Sequence, residues 1–170
     1  MKKIITFFCF LSLLSCTKEN YIETKKEGDL VQKITYSKGI VTNSKTYNSG
    51  KLETEFIYVN GTINKVYQYY PSKKVHSFSY LLKKPNHFFT KIYFENGKTV
   101  SEGEGDYFMN KKIFLRRGGW IFYNKSGTAY SILEFVNDGE KEYLQQETIY
   151  DTLKKKIIKD VKYENPILVK

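Results

Sequence analysis

Short runs of β-branched and aromatic residues, separated by turn signals, occupy most of the chain. Asn60-Gly61 separates Phe56-Ile57-Tyr58-Val59 from Thr62-Ile63-Asn64-Lys65-Val66-Tyr67. Asn-Gly is a strong hairpin signal because a type I′ turn needs positive φ at both central residues. The other signals are Asn96-Gly97, Asp138-Gly139, Ser49-Gly50, Lys38-Gly39, Ser126-Gly127, Pro71-Ser72 and Pro85-Asn86. This spacing predicts an antiparallel meander of roughly ten to twelve short strands.

Two segments are less clearly divided into strands by turn signals. The long interval between Gly97 and Ser126 is expected to contain one further turn, at Asn110-Lys111. Near the C-terminus, Leu153 to Val161 fits either a strand or a short basic helix. No other interval has apolar residues at a sustained helical spacing.

Composition strengthens the β prediction. The chain has 15 Tyr, 12 Phe and one Trp, whereas Ala, the best helix former, occurs once, at Ala129. We therefore predict a single all-β domain over residues 30–170, built from stacked hairpins. A β-sandwich or an open barrel is the alternative arrangement of these strands.

The first sixteen residues have the character of a targeting signal. Lys2 and Lys3 precede an apolar run from Ile4 to Leu14, which is too short to span a bilayer but suits a signal-peptide core. Leu13-Leu14-Ser15-Cys16 resembles the lipobox of bacterial lipoproteins. That resemblance implies a signal peptide at 1–15 and diacylglycerol on Cys16, while an ordinary secretory signal is the alternative.

The residues after the lipobox bear on destination. Position 17 is Thr rather than the Asp that resembles an inner-membrane retention signal, which favours the outer membrane. Lys18-Glu19 looks like a short tag for surface exposure. We expect residues 16–29 to form the acylated N-terminus and a flexible tether of roughly 20 Å that holds the domain clear of the membrane.

A repeat pattern follows. Tyr93-Phe94-Glu95-Asn96-Gly97-Lys98 and Ser101-Glu102-Gly103 resemble the bacterial variant of the MORN repeat, and so does the segment from Gly119 to Gly127. Tyr47 to Leu52 is a fainter copy, and lysine replaces glycine at the expected turns Lys73-Lys74 and Lys154-Lys155. The resemblance implies an open sheet of stacked hairpins. Its repeat-core packing residues would be Tyr93, Phe94, Gly97, Trp120, Phe122, Tyr123 and Gly127, although the same aromatics could line a ligand cleft.

Charge narrows the choice of partner. The formal net charge is +10, yet only Arg116 and Arg117 are arginines. Sequence-reading nucleic-acid sites usually rely on guanidinium groups, so no nucleic-acid partner is expected. Lys111, Lys112, Arg116 and Arg117 flank an apolar strand, where they either protect an edge from pairing or form a face for an anionic partner.

Candidate catalytic chemistry is sparse. Cys9 and Cys16 both lie near the N-terminus, so the folded body has no disulfide or catalytic thiol. His76 and His87 lack metal-ligand spacing, and the acids between Glu102 and Asp106 lack the full ligand set of a calcium loop. We expect no enzyme activity, metal or cofactor; a lipoprotein hydrolase is disfavoured because no nucleophile accompanies a base.

Two functional hypotheses remain. The first is a non-catalytic envelope lipoprotein, anchored by its N-terminal lipid, whose β-repeat surface binds a protein or an anionic envelope polymer such as a polysaccharide. The second is an immunity-like or antitoxin-like protein that neutralises a toxin, because some bacterial MORN-variant proteins carry antitoxin labels. The residues do not predict an oligomeric state.

Overall fold

The computed structural model describes residues 19–169. Within this range the chain forms twelve strands and no helix: β1 (Asn20–Glu27), β2 (Leu30–Ser37), β3 (Ile40–Asn48), β4 (Lys51–Val59), β5 (Thr62–Tyr69), β6 (Val75–Lys83), β7 (His87–Tyr93), β8 (Thr99–Phe108), β9 (Ile113–Tyr123), β10 (Ala129–Asn137), β11 (Glu142–Asp151) and β12 (Lys156–Leu168). Each strand pairs antiparallel with the next in one sheet, and the sheet does not close into a barrel. The predicted all-β meander is therefore confirmed.

The turns account for much of the regularity. Lys38-Gly39, Ser49-Gly50 and Asn60-Gly61 each have both central residues at positive φ, as a type I′ hairpin requires. Asn110-Lys111 lies in the turn between β8 and β9, where the long interval predicted one.

A second turn type repeats at 70–74, 94–98 and 124–128. In each, the first residue donates its N–H to the carbonyl of the fifth and accepts from the N–H of the fourth, at 2.8–3.0 Å. The fourth residue is Gly97 or Gly127 in two turns, with φ of 85° and 93°, but Lys73 in the other, with φ of 69°. A lysine thus adopts a left-handed conformation that costs a non-glycine residue about 1–2 kcal/mol.

The first and last strands of the sheet lie in segments for which the sequence predicted a tether or left a helix open. β1 (Asn20–Glu27) occupies most of the segment predicted as a tether, and it pairs with β2 along its whole length. The Tyr21 ring stacks on the Tyr36 ring of β2, with centroids 4.5 Å apart. The polar composition of the segment gives no indication of this contact. The C-terminal segment is a strand, because β12 begins at Lys156 and pairs with β11.

The sheet curls strongly along its strand order. Phe56 on β4 and Tyr107 on β8 have ring centroids 6.1 Å apart, whereas four strand spacings in a flat sheet would separate them by about 19 Å. Curling brings the concave faces of distant strands together. The most deeply buried apolar side chains are Ile34, Ile63, Phe88, Leu115, Trp120 and Phe135.

The predicted signal peptide, Cys16 and its acylation lie outside the described residues. Within residues 19–169 no helix is long and apolar enough to cross a membrane.

Candidate functional site

The concave side of the curled sheet forms a groove with a volume of about 850 Å³. Its lining comes from β3 to β9, with contributions from Glu142 and Val169. Side chains alternate between the two faces of a strand, and residues directly opposite each other share a face. The register therefore determines which side chains line the groove.

One register row across the groove is polar. Thr46, Thr54, Gln68 and Ser77 lie opposite one another on four consecutive strands, β3 to β6. The Ser77 hydroxyl donates to the Gln68 side-chain oxygen at 2.8 Å, which leaves the Gln68 amide nitrogen available. Among the described residues, the Thr46 and Thr54 hydroxyls have no hydrogen-bond partner either. This row offers unused donors and acceptors at intervals of about 4.8 Å.

The adjacent row is polar at its centre as well. Ser79 and Thr90 lie opposite each other on β6 and β7, and their hydroxyl oxygens are 2.7 Å apart. Thr90 is buried, whereas Ser79 is half-buried. The floor of the groove thus carries paired hydroxyls rather than a continuous apolar surface.

The other end of the groove is aromatic, and two glycines make room for it. A Cβ at Gly103 would lie 2.5 Å from Cγ of Trp120, and one at Gly105 would lie 2.4 Å from Cζ of Phe114. The Trp120 indole donates to the Glu104 carbonyl at 2.7 Å, and its ring meets Phe114 edge-on at 6.2 Å. The Trp120 and Phe114 rings at this end therefore occupy the space that side chains at Gly103 and Gly105 would need.

A buried ion pair stands beside these aromatics. Glu142, 2% exposed, accepts hydrogen bonds from the Arg116 backbone N–H at 2.6 Å and from Nε and Nη2 of its guanidinium at 2.9 and 2.6 Å. The guanidinium lies 3.8 Å from the Phe135 ring centroid and 5.8 Å from that of Trp120. Arg116 is thus paired with a carboxylate and stacked against an aromatic ring.

The four basic residues predicted as an anionic face occupy different surroundings. Arg117 is next to Arg116 but contacts Asp106, at 3.7 Å, rather than Glu142. Lys111 pairs with Glu140 at 2.9 Å. Lys112 is exposed, lines the groove and has no carboxylate within 4.0 Å in the described part of the chain. The structure therefore gathers these residues on β9 and the turn before it, but three of the four have acidic partners.

The acids of the Glu102-Gly103-Glu104-Gly105-Asp106 segment are likewise engaged. His87 lies between two of them, with Nδ1 3.0 Å from Asp106 and Nε2 2.8 Å from Glu104. Asp106 also accepts from the Asn137 amide at 3.2 Å. Within residues 19–169 no group of three or more His, Cys, Asp or Glu side chains is arranged to hold a metal ion.

The outer face of the sheet carries a motif that sequence reasoning missed. In this motif a tyrosine hydroxyl and a lysine both contact one glutamate. At Glu102, the Tyr123 hydroxyl donates to the carboxylate at 2.6 Å and the Lys91 ammonium lies 2.7 Å from it. Tyr69, Glu55 and Lys45 repeat it on the same face. The same three residue types also meet on the concave face toward each edge of the sheet, as Tyr36, Glu23 and Lys25, and as Tyr163, Glu147 and Lys159. The tyrosine and glutamate of each cluster are 13 to 21 positions apart, so the sequence carries no local signal for their contact.

These contacts shift the ionisation of the central group. Partial burial acts to raise the pKa of Glu102, but the hydrogen bonds from Lys91 and Tyr123 and the lysine charge outweigh it, so the pKa lies below 4.5. The hydrogen bond to Glu102, together with burial, raises the pKa of Tyr123 to about 12. The carboxylate is therefore ionised and the phenol protonated across the physiological range.

The predicted repeat-core residues divide between these environments. Trp120 and Phe122 line the groove, Tyr123 lies in an outer-face cluster, and Gly97 and Gly127 occupy equivalent turns. The Tyr93 carbonyl accepts the Tyr70 hydroxyl at 2.6 Å. Phe94 begins one of the three repeated turns.

Comparison with known proteins gives little that is similar to this chain. No protein-family model matches it, and no curated protein matches it either. Two chains among the solved structures match. One, described as "Crystal Structure of TarM", is 11% identical, with a TM-score of 0.30. The alignment covers 84% of this chain and 21% of that one, so this chain spans about a fifth of its length.

Proposed function

We propose that this protein is a non-catalytic lipoprotein of the cell envelope, anchored through Cys16 in the outer membrane, and that the groove of its β-sheet binds a partner. The observation that carries the binding proposal is the groove itself, about 850 Å³ in volume, with unused hydroxyl and amide groups in a row beside half-buried aromatics. A few placed polar groups within a largely apolar concavity are typical of binding sites.

The electrostatics of the groove favour a protein over an anionic polymer. Its charged lining residues are Lys112, Arg116 and Glu142, and the last two neutralise each other. A polyanion would need many unpaired cations along its path, because its binding depends on charge. A peptide segment would instead use the polar row for hydrogen bonds and the aromatic end for apolar contacts.

A blocking substitution in the groove tests this proposal. Gln68 and Lys65 are both exposed on β5, three positions apart and hence on opposite faces. Gln68→Trp should obstruct the groove, and the matched Lys65→Trp places the same bulk on the outer face. Circular dichroism and thermal melting confirm that both variants fold.

The readout is a pull-down from envelope extract at low and high ionic strength. We expect one stoichiometric protein with the parent and with Lys65→Trp, retained in high salt, and at least tenfold less with Gln68→Trp. Loss of all bound material in high salt would favour an anionic polymer, because the screening length falls from about 10 Å at 0.1 M salt to about 3 Å at 1 M. Equal capture by both variants would show that the groove is not the binding surface.

A further inference from the structure

The two ends of the sheet differ in the distribution of their exposed apolar side chains. Because consecutive strands are neighbours, the turns alternate between the ends. One end contains the start of β1 at Asn20 and the turns at 38–39, 60–61, 84–86, 109–112 and 138–141. We call this end the N-terminal rim.

Exposed apolar residues recur along the rim. Ile40, Val59, Leu82 and Met109 belong to four successive rim turns or lie within two residues of them, and they are 45 to 60% exposed. A single exposed apolar side chain is ordinary, but one at each of four consecutive turns forms a line. At the opposite end, the three consecutive turns at 49–50, 70–74 and 94–98 have no exposed large apolar residue within two positions, whereas the turns nearer the two edges have Leu30, Tyr130, Leu153 and Ile157.

Lysines accompany the apolar residues on the rim. Five of them are exposed and have no carboxylate within 4.0 Å in the part of the chain that the structure describes: Lys38, Lys83, Lys84, Lys112 and Lys141. Apolar tips flanked by lysines match the chemistry of a bilayer surface, with its apolar boundary and anionic headgroups.

The position of β1 places this end near the anchor. β1 begins at Asn20, four residues after Cys16, and four extended residues span at most about 14 Å. The turns at the opposite end lie a further strand length away, about 27 Å for the eight residues of β1. An acyl group on Cys16 would therefore hold the rim, rather than the opposite end, close to the lipid.

We propose that the N-terminal rim docks on a bilayer containing anionic phospholipids. Its apolar side chains enter the headgroup boundary and its lysines contact the phosphates. The sheet then stands with the opposite turns away from the membrane. The docking rests on the proposed function for one element, the acyl anchor on Cys16.

The tip of the last hairpin has similar chemistry. Leu153 is 93% exposed beside Lys154 and Lys155, at the tip of the β11–β12 hairpin. It lies at the opposite end and in the hairpin farthest along the sheet from β1. Docking through this tip would invert the orientation, so the two arrangements are separable by experiment.

The test measures which end of the full-length, membrane-assembled protein meets lipid. Single cysteines labelled with an environment-sensitive fluorophore are introduced on the rim at Ile40 and Asn110 and at the opposite end at Ser72 and Lys125. A fifth labelled position, Leu153, reports the hairpin tip. The unsubstituted protein gives the background from its own thiols. Quenching by brominated lipid is compared in vesicles with phosphatidylglycerol and in vesicles of phosphatidylcholine alone.

We expect the rim labels to be quenched several-fold more than the labels at the opposite end in the anionic vesicles. Glutamine at the five unpaired rim lysines should reduce that quenching to its level in phosphatidylcholine, while the vesicle-bound fraction of an acylated chain stays unchanged. Equal quenching at both ends, or stronger quenching at Leu153, would overturn the docking.

Fatty-acid labelling of Cys16 separates this proposal from the one on which it rests. If Cys16 is acylated and the rim labels are not quenched, the docking is wrong and the lipoprotein assignment stands. If Cys16 is not acylated but the rim labels of the protein are quenched on anionic vesicles, the docking stands and the anchor is wrong.

Discussion

The most informative perturbation is Gly103→Ala, because it adds one methyl group where the groove has no room. The new Cβ would lie 2.5, 2.6 and 2.7 Å from Cγ, Cδ1 and Cδ2 of Trp120. The indole cannot move away freely, since the side chain is 1% exposed and its N–H is bonded to the Glu104 carbonyl at 2.7 Å. Overpacking of this kind typically costs about 1–3 kcal/mol. We expect the upper part of that range.

A double-mutant cycle isolates the contact. Trp120→Ala alone should lower the free energy of unfolding by about 3–5 kcal/mol through the cavity that it leaves. In that background Gly103→Ala meets open space, so its own cost should disappear and the two effects should fail to add. Gly119→Ala is the matched control, because its Cβ would meet only the flexible end of Glu134 at 2.9 Å. It should change stability by no more than about 0.5 kcal/mol.

Urea titration monitored by circular dichroism measures all of these variants, including those without the single tryptophan. Free energies of unfolding are compared only between variants that have the same slope with denaturant, because a changed slope indicates a change in the unfolded state. An equal cost of Gly103→Ala with and without Trp120 would refute the packing argument, and so would a neutral effect in the parent.

Three further predictions concern stability. Lys73→Gly should raise the free energy of unfolding by about 1 kcal/mol, because it relieves a left-handed lysine, whereas Lys74→Gly should not; urea titration compares them. Glu102 has a pKa held below 4.5 by its lysine and tyrosine partners, so the stability that it contributes is present above pH 4.5 and is lost as pH falls through the lower folded value. The stability difference between the parent and Glu102→Gln, followed by urea titration from neutral to acid pH, should shrink accordingly, and a constant difference would contradict the shift. Glu142→Ala should cost about 2–3 kcal/mol because it leaves the Arg116 guanidinium unpaired, while the double variant with Arg116→Met should cost less than the sum of the single changes in thermal unfolding.

The clusters of tyrosine, glutamate and lysine, on both faces of the sheet, show how it stabilises strands that lack a second layer. Each joins two or three strands through one glutamate, as Glu55 joins β3 and β5 through Lys45 and Tyr69. Such surface pairs are individually worth little, roughly 0–1 kcal/mol. A stabilising effect on the sheet would therefore come from several clusters together, each of which adds side-chain contacts between strands that are already paired through their backbones.

The sequence by itself determined the strand class, the turns and the meander. These features depend on local chemistry. Asn60-Gly61 forms its turn because both residues accept positive φ. The chain has a single alanine, so the strongest helix-forming residue is nearly absent. It also pointed to Trp120 and Phe122 as packing residues, since aromatics at strand spacing suit a half-buried sheet.

Only the tertiary structure decided where the groove and its boundaries lie. Thr46, Thr54, Gln68 and Ser77 form a row because four separate registers align them, and no local pattern encodes a register across four strands. Curling then brings Phe56 within 6.1 Å of Tyr107, although 51 positions separate them in the chain. β1 was missed for the same reason: its few apolar side chains find partners only when β2 lies beside it. Contacts between distant segments are a property of the folded sheet, and the sequence specifies them only through the packing of the whole.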